Sequence, residues 1–310
     1  MANMNPPATP RARADFSIHP ATLMGLVSLA VASLDNQIAF YETALGFKLH
    51  RRGGHQASLG AGGADLLQLT EAPNLKRYRG TTGLYHFAVL FPNRRELARA
   101  LARLQALRYR NHPTDHISTK TTYLDDPEGN GIELYCESPE DGRFTIEDND
   151  FVTRRTDGTL SDGREPLDVA ALFRQLPADE KPGAPLPPET RVGHVHLHVR
   201  NVAAAVEFYH GIIGFDVMGH SSTFQAAFVS AGGYHHHLGL NAWQGAAAAP
   251  PPADAVGLRH FTIDLPDQAA LDEVAQRIAA AGIACQLLPE GLLVHDPCQN
   301  GVILSRRPTP

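Results

Sequence analysis

A chain of 310 residues, 43% hydrophobic and 19% charged, is long enough for two compact domains with separate cores and has the makeup of an ordinary soluble globular protein. Its formal net charge of −6 offers no basic surface for nucleic acid or anionic lipid, which leaves a small molecule as the expected partner. The three cysteines, Cys136, Cys285 and Cys298, lack disulfide-scaffold or zinc-ribbon spacing and read as reduced thiols in a cytoplasmic protein.

Residues 1–20 carry Pro, Arg and Asn where a signal peptide needs an apolar run, so they read as a flexible tail. No later segment reaches the roughly 18 consecutive apolar residues of a membrane span. From residue 21, "GLVSLAV" alternates as a strand, and Asp35 or Asn36 can cap the helix that follows. Ile38, Tyr41 and Leu45 share one face of that helix, and Gly46 stops it. Strand-like runs at 47–51, 56–59 and 65–70 complete a βαβββ unit. Residues 84–138 repeat the order, with a strand at 85–90, a helix over 94–107 and strands ending in "GIELYCE".

A polar connector, 141–189, holds a short helix near 167–175 and the Pro-rich "KPGAPLPPE". It is long for a connection inside a compact domain, so it should cross the surface between the halves and could cover a cleft. The second copy, 190–307, then begins. "VGHVHLHVRNVAAAVEFYHGIIGFDV" resembles "MGLVSLAVASLDNQIAFYETALGFKL", pairing Gly193 with Gly25, Tyr209 with Tyr41 and Phe215 with Phe47. His260 matches His86, and Asp296-Pro297 and Gly301 match Asp126-Pro127 and Gly131. A low-complexity loop, "GAAAAPPPADA", separates modules three and four. The expected class is α+β, with four βαβββ modules in two domains, 21–140 and 190–307.

Three groups of residues could do chemistry. Module two carries His86, His116, Tyr123 and Glu133; module three opens on "GHVHLHV", whose His194, His196 and His198 alternate onto one strand face. The last group is His235, His236 and His237 in "GGYHHHLGLNAW". Each has a plainer reading: His86 as a hydrogen-bonded structural histidine, the triple histidine as a solvated turn, Glu133 as an exposed edge residue, and 126–129 as a turn. Burying so many imidazoles without partners is costly, and a nearby carboxylate strengthens a metal reading. Two imidazoles and a carboxylate on one octahedral face leave three open positions, the set used by non-heme Fe(II) oxygenases.

With those residues the chain resembles the vicinal oxygen chelate (glyoxalase/bleomycin resistance/extradiol dioxygenase) superfamily, and within it the two-domain catechol 2,3-dioxygenase type. His116, Tyr123, Asp126-Pro127, Gly129 and Glu133 follow the extradiol signature, while Thr122 departs from its aliphatic preference. The resemblance implies curved mixed sheets and a catechol opened by O2 to a muconic semialdehyde, in aromatic hydrocarbon catabolism. It implies Fe(II), with Mn(II) as a substitute, held by His86, Glu133 and His194. His236 would be the acid–base residue with a pKa near neutrality, Tyr123 and His116 would contact substrate oxygens, and His196 and His235 would line the pocket.

Neither half has a complete ligand set: Leu26 stands in the place of His194, and Ile303 in the place of Glu133. Modules two and three are therefore expected to face each other and to leave one with four metal-free. The competing arrangement is a site within the first half, adding Gln68 to His86 and Glu133. Two other functions are compatible with the family, a glyoxalase I-type isomerase and a metal-free small-molecule-binding protein. Exposed strand edges of this fold also suit a homo-oligomer.

Overall fold

The computed structural model describes residues 16–147, 150–181 and 183–307, and the repeats of the sequence become four βαβββ modules. Module one holds β1 (Leu23–Val31), α1 (Leu34–Phe40), β2 (Lys48–Gly53), β3 (Gln56–Gly60) and β4 (Asp65–Glu71). Module two holds β5 (Gly83–Phe91), α2 (Arg94–Ala106), β6 (His112–Asp115), β7 (Thr119–Asp125) and β8 (Gly131–Glu137). After them the connector contributes β9 (Gly142–Glu147), β10 (Asp150–Arg155), β11 (Leu160–Ser161), β12 (Glu165–Pro166) and α3 (Val169–Phe173). Module three is β13 (Arg191–His198), α4 (Val202–Val206), β14 (Asp216–Ser221), β15 (Ala226–Ser230) and β16 (Leu238–Asn241). Module four is β17 (Gly257–Leu265), α5 (Gln268–Ala280), β18 (Cys285–Leu288), β19 (Gly291–His295) and β20 (Gly301–Arg306).

The sheets cross the sequence halves. One has eight strands in the order β18-β19-β20-β17-β1-β4-β3-β2, joining modules four and one through the antiparallel pair β17 and β1. The other has nine, β12-β6-β7-β8-β5-β13-β16-β15-β14, joining modules two and three through β5 and β13. Helices α1 and α5 pack on the first sheet, and α2 and α4 on the second. Leu97, Leu101 and Leu104 of α2 and Val274 and Ile278 of α5 are buried in one continuous apolar core that draws on all four modules. No described helix is long and apolar enough to cross a membrane.

Three local features differ from the sequence expectation. Ser33, not Asp35 or Asn36, caps α1, its hydroxyl accepting the Asn36 N–H at 3.4 Å, because the helix already includes buried Leu34. Residues 1–15 of the expected tail lie outside the described residues, but Phe16 and Ile18 are packed: Phe16 lies against the core, and Ile18 is 2% exposed and donates its N–H to Gly214 O at 2.8 Å. The connector carries, besides its helix, a three-stranded sheet of β9, β10 and β11, whose strands pair with one another.

The repeated turn is structural in both copies. Asp126 accepts the N–H groups of Glu128 and Asn130, and Asp296 those of Cys298 and Asn300. Tyr41 of the first sheet's modules reaches Asp126 at 3.1 Å, and Tyr209 reaches Asp296 at 3.1 Å in the opposite sense. Each bond ties a module of one sheet to a module of the other.

Candidate metal centre and active site

The centre of the nine-stranded sheet, β8-β5-β13, sets up the site. Phe87, Val89, Ile132, Leu134, Val195 and Leu197 enter the core, so the residues that alternate with them face the other way. In register, Ala88 of β5 lies opposite Glu133 of parallel β8 and opposite His194 of antiparallel β13. Strands about 4.8 Å apart put the Glu133 and His194 backbones about 10 Å from each other, and their side chains meet above the methyl of Ala88. His86, two residues before Ala88, leans into the same point.

There the three donors converge. His194 Nε2 lies 3.0 Å from Glu133 Oε2, His86 Nε2 lies 3.1 Å from the same oxygen, and the two nitrogens are 3.2 Å apart. An octahedral ion with bonds of about 2.1 Å holds adjacent donors about 3.0 Å apart, so the set fits one face of a divalent cation. Thr121 Oγ1, at 2.8 Å, engages the other carboxylate oxygen, Oε1. The Nδ1 atoms of His86 and His194 are buried without hydrogen-bond partners, so packing orients these rings: His194 against Tyr135 and His86 against Tyr123 and His196. A second group that could hold an ion, His194 with His235 and His236, shares one of these imidazoles.

The electrostatics favour that use. Burial opposes ionisation of Glu133, but the adjacent His194 and His86 outweigh it and hold its pKa well below the ordinary carboxylate value. Burial lowers the pKa of His194 and leaves its imidazole neutral despite Glu133. An anionic carboxylate and a neutral imidazole are the protonation states that bind a metal. His236 was expected to titrate near neutrality; burial, then His194 and His235, push it well below its ordinary value. Tyr123 is pushed well above its ordinary value by burial and then by the Glu133 charge, so it stays a phenol.

A cavity of about 770 Å³ opens over this point. His86, His116, Tyr123, Glu133, His194, His196, His235 and His236 all line it. His116 Nε2 is 2.8 Å from the Tyr123 hydroxyl, and its Nδ1 meets the Gly163 carbonyl of the connector. His237 has a structural place instead, with Nδ1 2.8 Å from Ser230 Oγ. Gln68 lies on β4 in the other sheet, 3.1 Å from Ser28, away from His86 and Glu133.

The sequence profile described as the Glyoxalase/Bleomycin resistance protein/Dioxygenase superfamily matches residues 23–134 and 191–290. The chain belongs to this superfamily. It is 38% identical over 290 residues, 93% of this chain and 98% of the relative, to a Bacillus subtilis (strain 168) protein named catechol-2,3-dioxygenase. A putative dioxygenase of known structure from Bacillus subtilis is 12% identical with a TM-score of 0.61, over 96% of this chain and 87% of that one. Glyoxalase I from Zea mays is 15% identical with a TM-score of 0.53, over 92% of each chain. These two likenesses concern the fold.

Within this superfamily fold, several site residues had no sequence signal. Ala88 and Thr121 are small residues in ordinary strands. Phe144, Phe151 and Arg164 come from the connector, and Phe224, Phe228 and Trp243 from module three; all six line the cavity. "NAW" stood beside the triple histidine, but only the sheet register brings Trp243 within 5.1 Å of Tyr85 and 5.7 Å of His196.

Proposed function

We propose that the protein is an extradiol dioxygenase that uses Fe(II), or Mn(II) in its place, to open a catechol ring beside its vicinal hydroxyls. The observation that carries this reading is the mutual approach, within 3.2 Å, of His86, Glu133 and His194 from three adjacent strands. The 38% identity to a catechol-2,3-dioxygenase supports it. His86, Glu133 and His194 would hold the ion and leave one side of it open to the cavity. When bound, the metal supplies the redox chemistry that O2 needs to react with a closed-shell ring.

The chain's own groups handle orientation and protons. Neutral His236 accepts a proton from a diol hydroxyl and returns it at ring opening. Tyr123, held as a phenol, and His116, paired to it, lie against the substrate oxygens. His196 and His235, both on the cavity wall, border the ring. Both atoms of O2 enter the product, a muconic semialdehyde, which suits aromatic catabolism in the cytoplasm.

The test is anaerobic loading with Fe(II), followed by catechol and O2. A yellow ring-fission product should appear with one O2 consumed per ring. Glu133→Ala and His194→Ala should lose bound iron, whereas His236→Ala should keep it and lose about 100-fold or more in turnover. Absence of colour and O2 uptake across several catechols, or full iron occupancy in His194→Ala, refutes the reading. Oxygen-independent isomerisation with Ni(II) would instead assign a glyoxalase I-type activity.

A further inference from the structure

The cavity is far larger than a single catechol ring needs, and its volume of about 770 Å³ lies in the range that houses drug-sized ligands. Beyond the triad its wall carries hydroxyl and amide side chains, among them Thr153 and Gln225, and a run of aromatic rings. From the triad outward, His236 packs on Phe228 at 4.5 Å between ring centroids, Phe228 on Phe151 at 4.8 Å, and Phe151 on Phe144 at 5.6 Å. Tyr85, its ring centroid 4.9 Å from that of His86, packs edge to face on Trp243 at 5.1 Å. Charged side chains other than those at the triad sit at the rim on the connector: Asp162 and Arg164, the latter with its guanidinium 4.6 Å over the Phe224 ring. The cavity thus has a polar, metal-binding end and an uncharged aromatic end.

We propose that the substrate is a catechol bearing a second, uncharged aromatic ring, which lies along Phe228, Phe151 and Phe144. This rests on the dioxygenase reading for the catechol but not for the aromatic subsite. Rings arranged at 4.5 to 5.9 Å already show the edge-to-face and tilted contacts that a further ring can extend. Two of the three phenylalanines, Phe144 and Phe151, come from strands β9 and β10, so the connector is the specificity element.

Trp243, the only tryptophan, lies in the cavity wall and reports binding without turnover. Its fluorescence is titrated in the metal-free full-length protein with phenol, 2-hydroxybiphenyl and 4-hydroxybenzoate. The biphenyl should bind at least about tenfold more tightly than phenol, the low end of what burying a phenyl-sized surface gives. Phe151→Ala should remove most of that advantage, and Phe151→Leu should retain part of it. With Fe(II), kcat/KM for 3-phenylcatechol should exceed that for catechol. Equal affinities for biphenyl and phenol, or tightest binding of the carboxylate with loss in Arg164→Ala, overturns the proposal. If the biphenyl advantage appears but no catechol is cleaved, the aromatic subsite stands and the dioxygenase reading falls.

Discussion

Thr121 supports Glu133 from behind. Its hydroxyl lies 2.8 Å from Oε1 and 3.1 Å from the Leu134 carbonyl, which leaves Oε2 turned toward the two imidazoles. Thr121→Val keeps the shape and removes the hydroxyl, so the fold should persist while Fe(II) affinity falls about 10- to 100-fold. Calorimetric titration of metal into the variant checks this, and wild-type affinity would show that Glu133 needs no such support. The histidines at this scale were legible because a strand's period of two places His194 and His196 together, whatever surrounds them. Thr121 and Ala88 were not, since their importance lies in what stands across the ladder from them. His236 was legible as a position but not in its titration, because burial, its chief perturbation, depends on packing from distant segments.

At the scale of elements, both sheets have the same tight approach of parallel strands, and only the nine-stranded one brings His86 and Glu133 to it. A Cβ on Gly131, at the start of β8, would lie 2.0 Å from the Tyr85 carbonyl oxygen and 3.2 Å from His86 Cβ. The matching Gly301 of β20 would put one 2.4 Å from the Arg259 carbonyl and 3.1 Å from His260 Cβ. Alanine at either position must push parallel strands apart, at a cost of about 1 to 3 kcal/mol. Gly131→Ala should also separate Glu133 from His86 and weaken metal binding, whereas Gly301→Ala should lose stability alone, since Ile303 and Leu26 offer no ligand. Denaturant unfolding and metal titration of both variants separate these effects; equal metal loss in the two would refute the assignment. The helices and most module strands were readable from periodicity and glycine stops. The connector strands were not: nothing within "GRFTIE" or "DFVTRR" names its pairing partner, and the two pair with each other.

Across the whole molecule, the cross-pairing of modules could be inferred from ligand counting, because neither half holds two histidines and a carboxylate in matching places. No sequence periodicity encodes which sheet edges meet, so the mutual ties had to come from the structure. Tyr41 to Asp126 and Tyr209 to Asp296 run in opposite senses between the sheets, and the main apolar core passes through all four modules. Each half of the sequence therefore contributes to both sheets, and neither sheet can unfold without pulling strands from both halves. A metal held by His86, Glu133 and His194 binds the folded state and not the unfolded one, so it should stabilise the entire chain. At a free concentration 100 times Kd the gain is about 2.7 kcal/mol, a rise of several degrees in Tm. Scanning calorimetry of the wild type with and without Fe(II) under anaerobic conditions should show one transition that moves as a whole, while Glu133→Ala should show one that does not move. Two transitions, of which metal shifts only the one belonging to the nine-stranded sheet, would mean that the sheets unfold independently and that the tyrosine–aspartate ties are too weak to couple them.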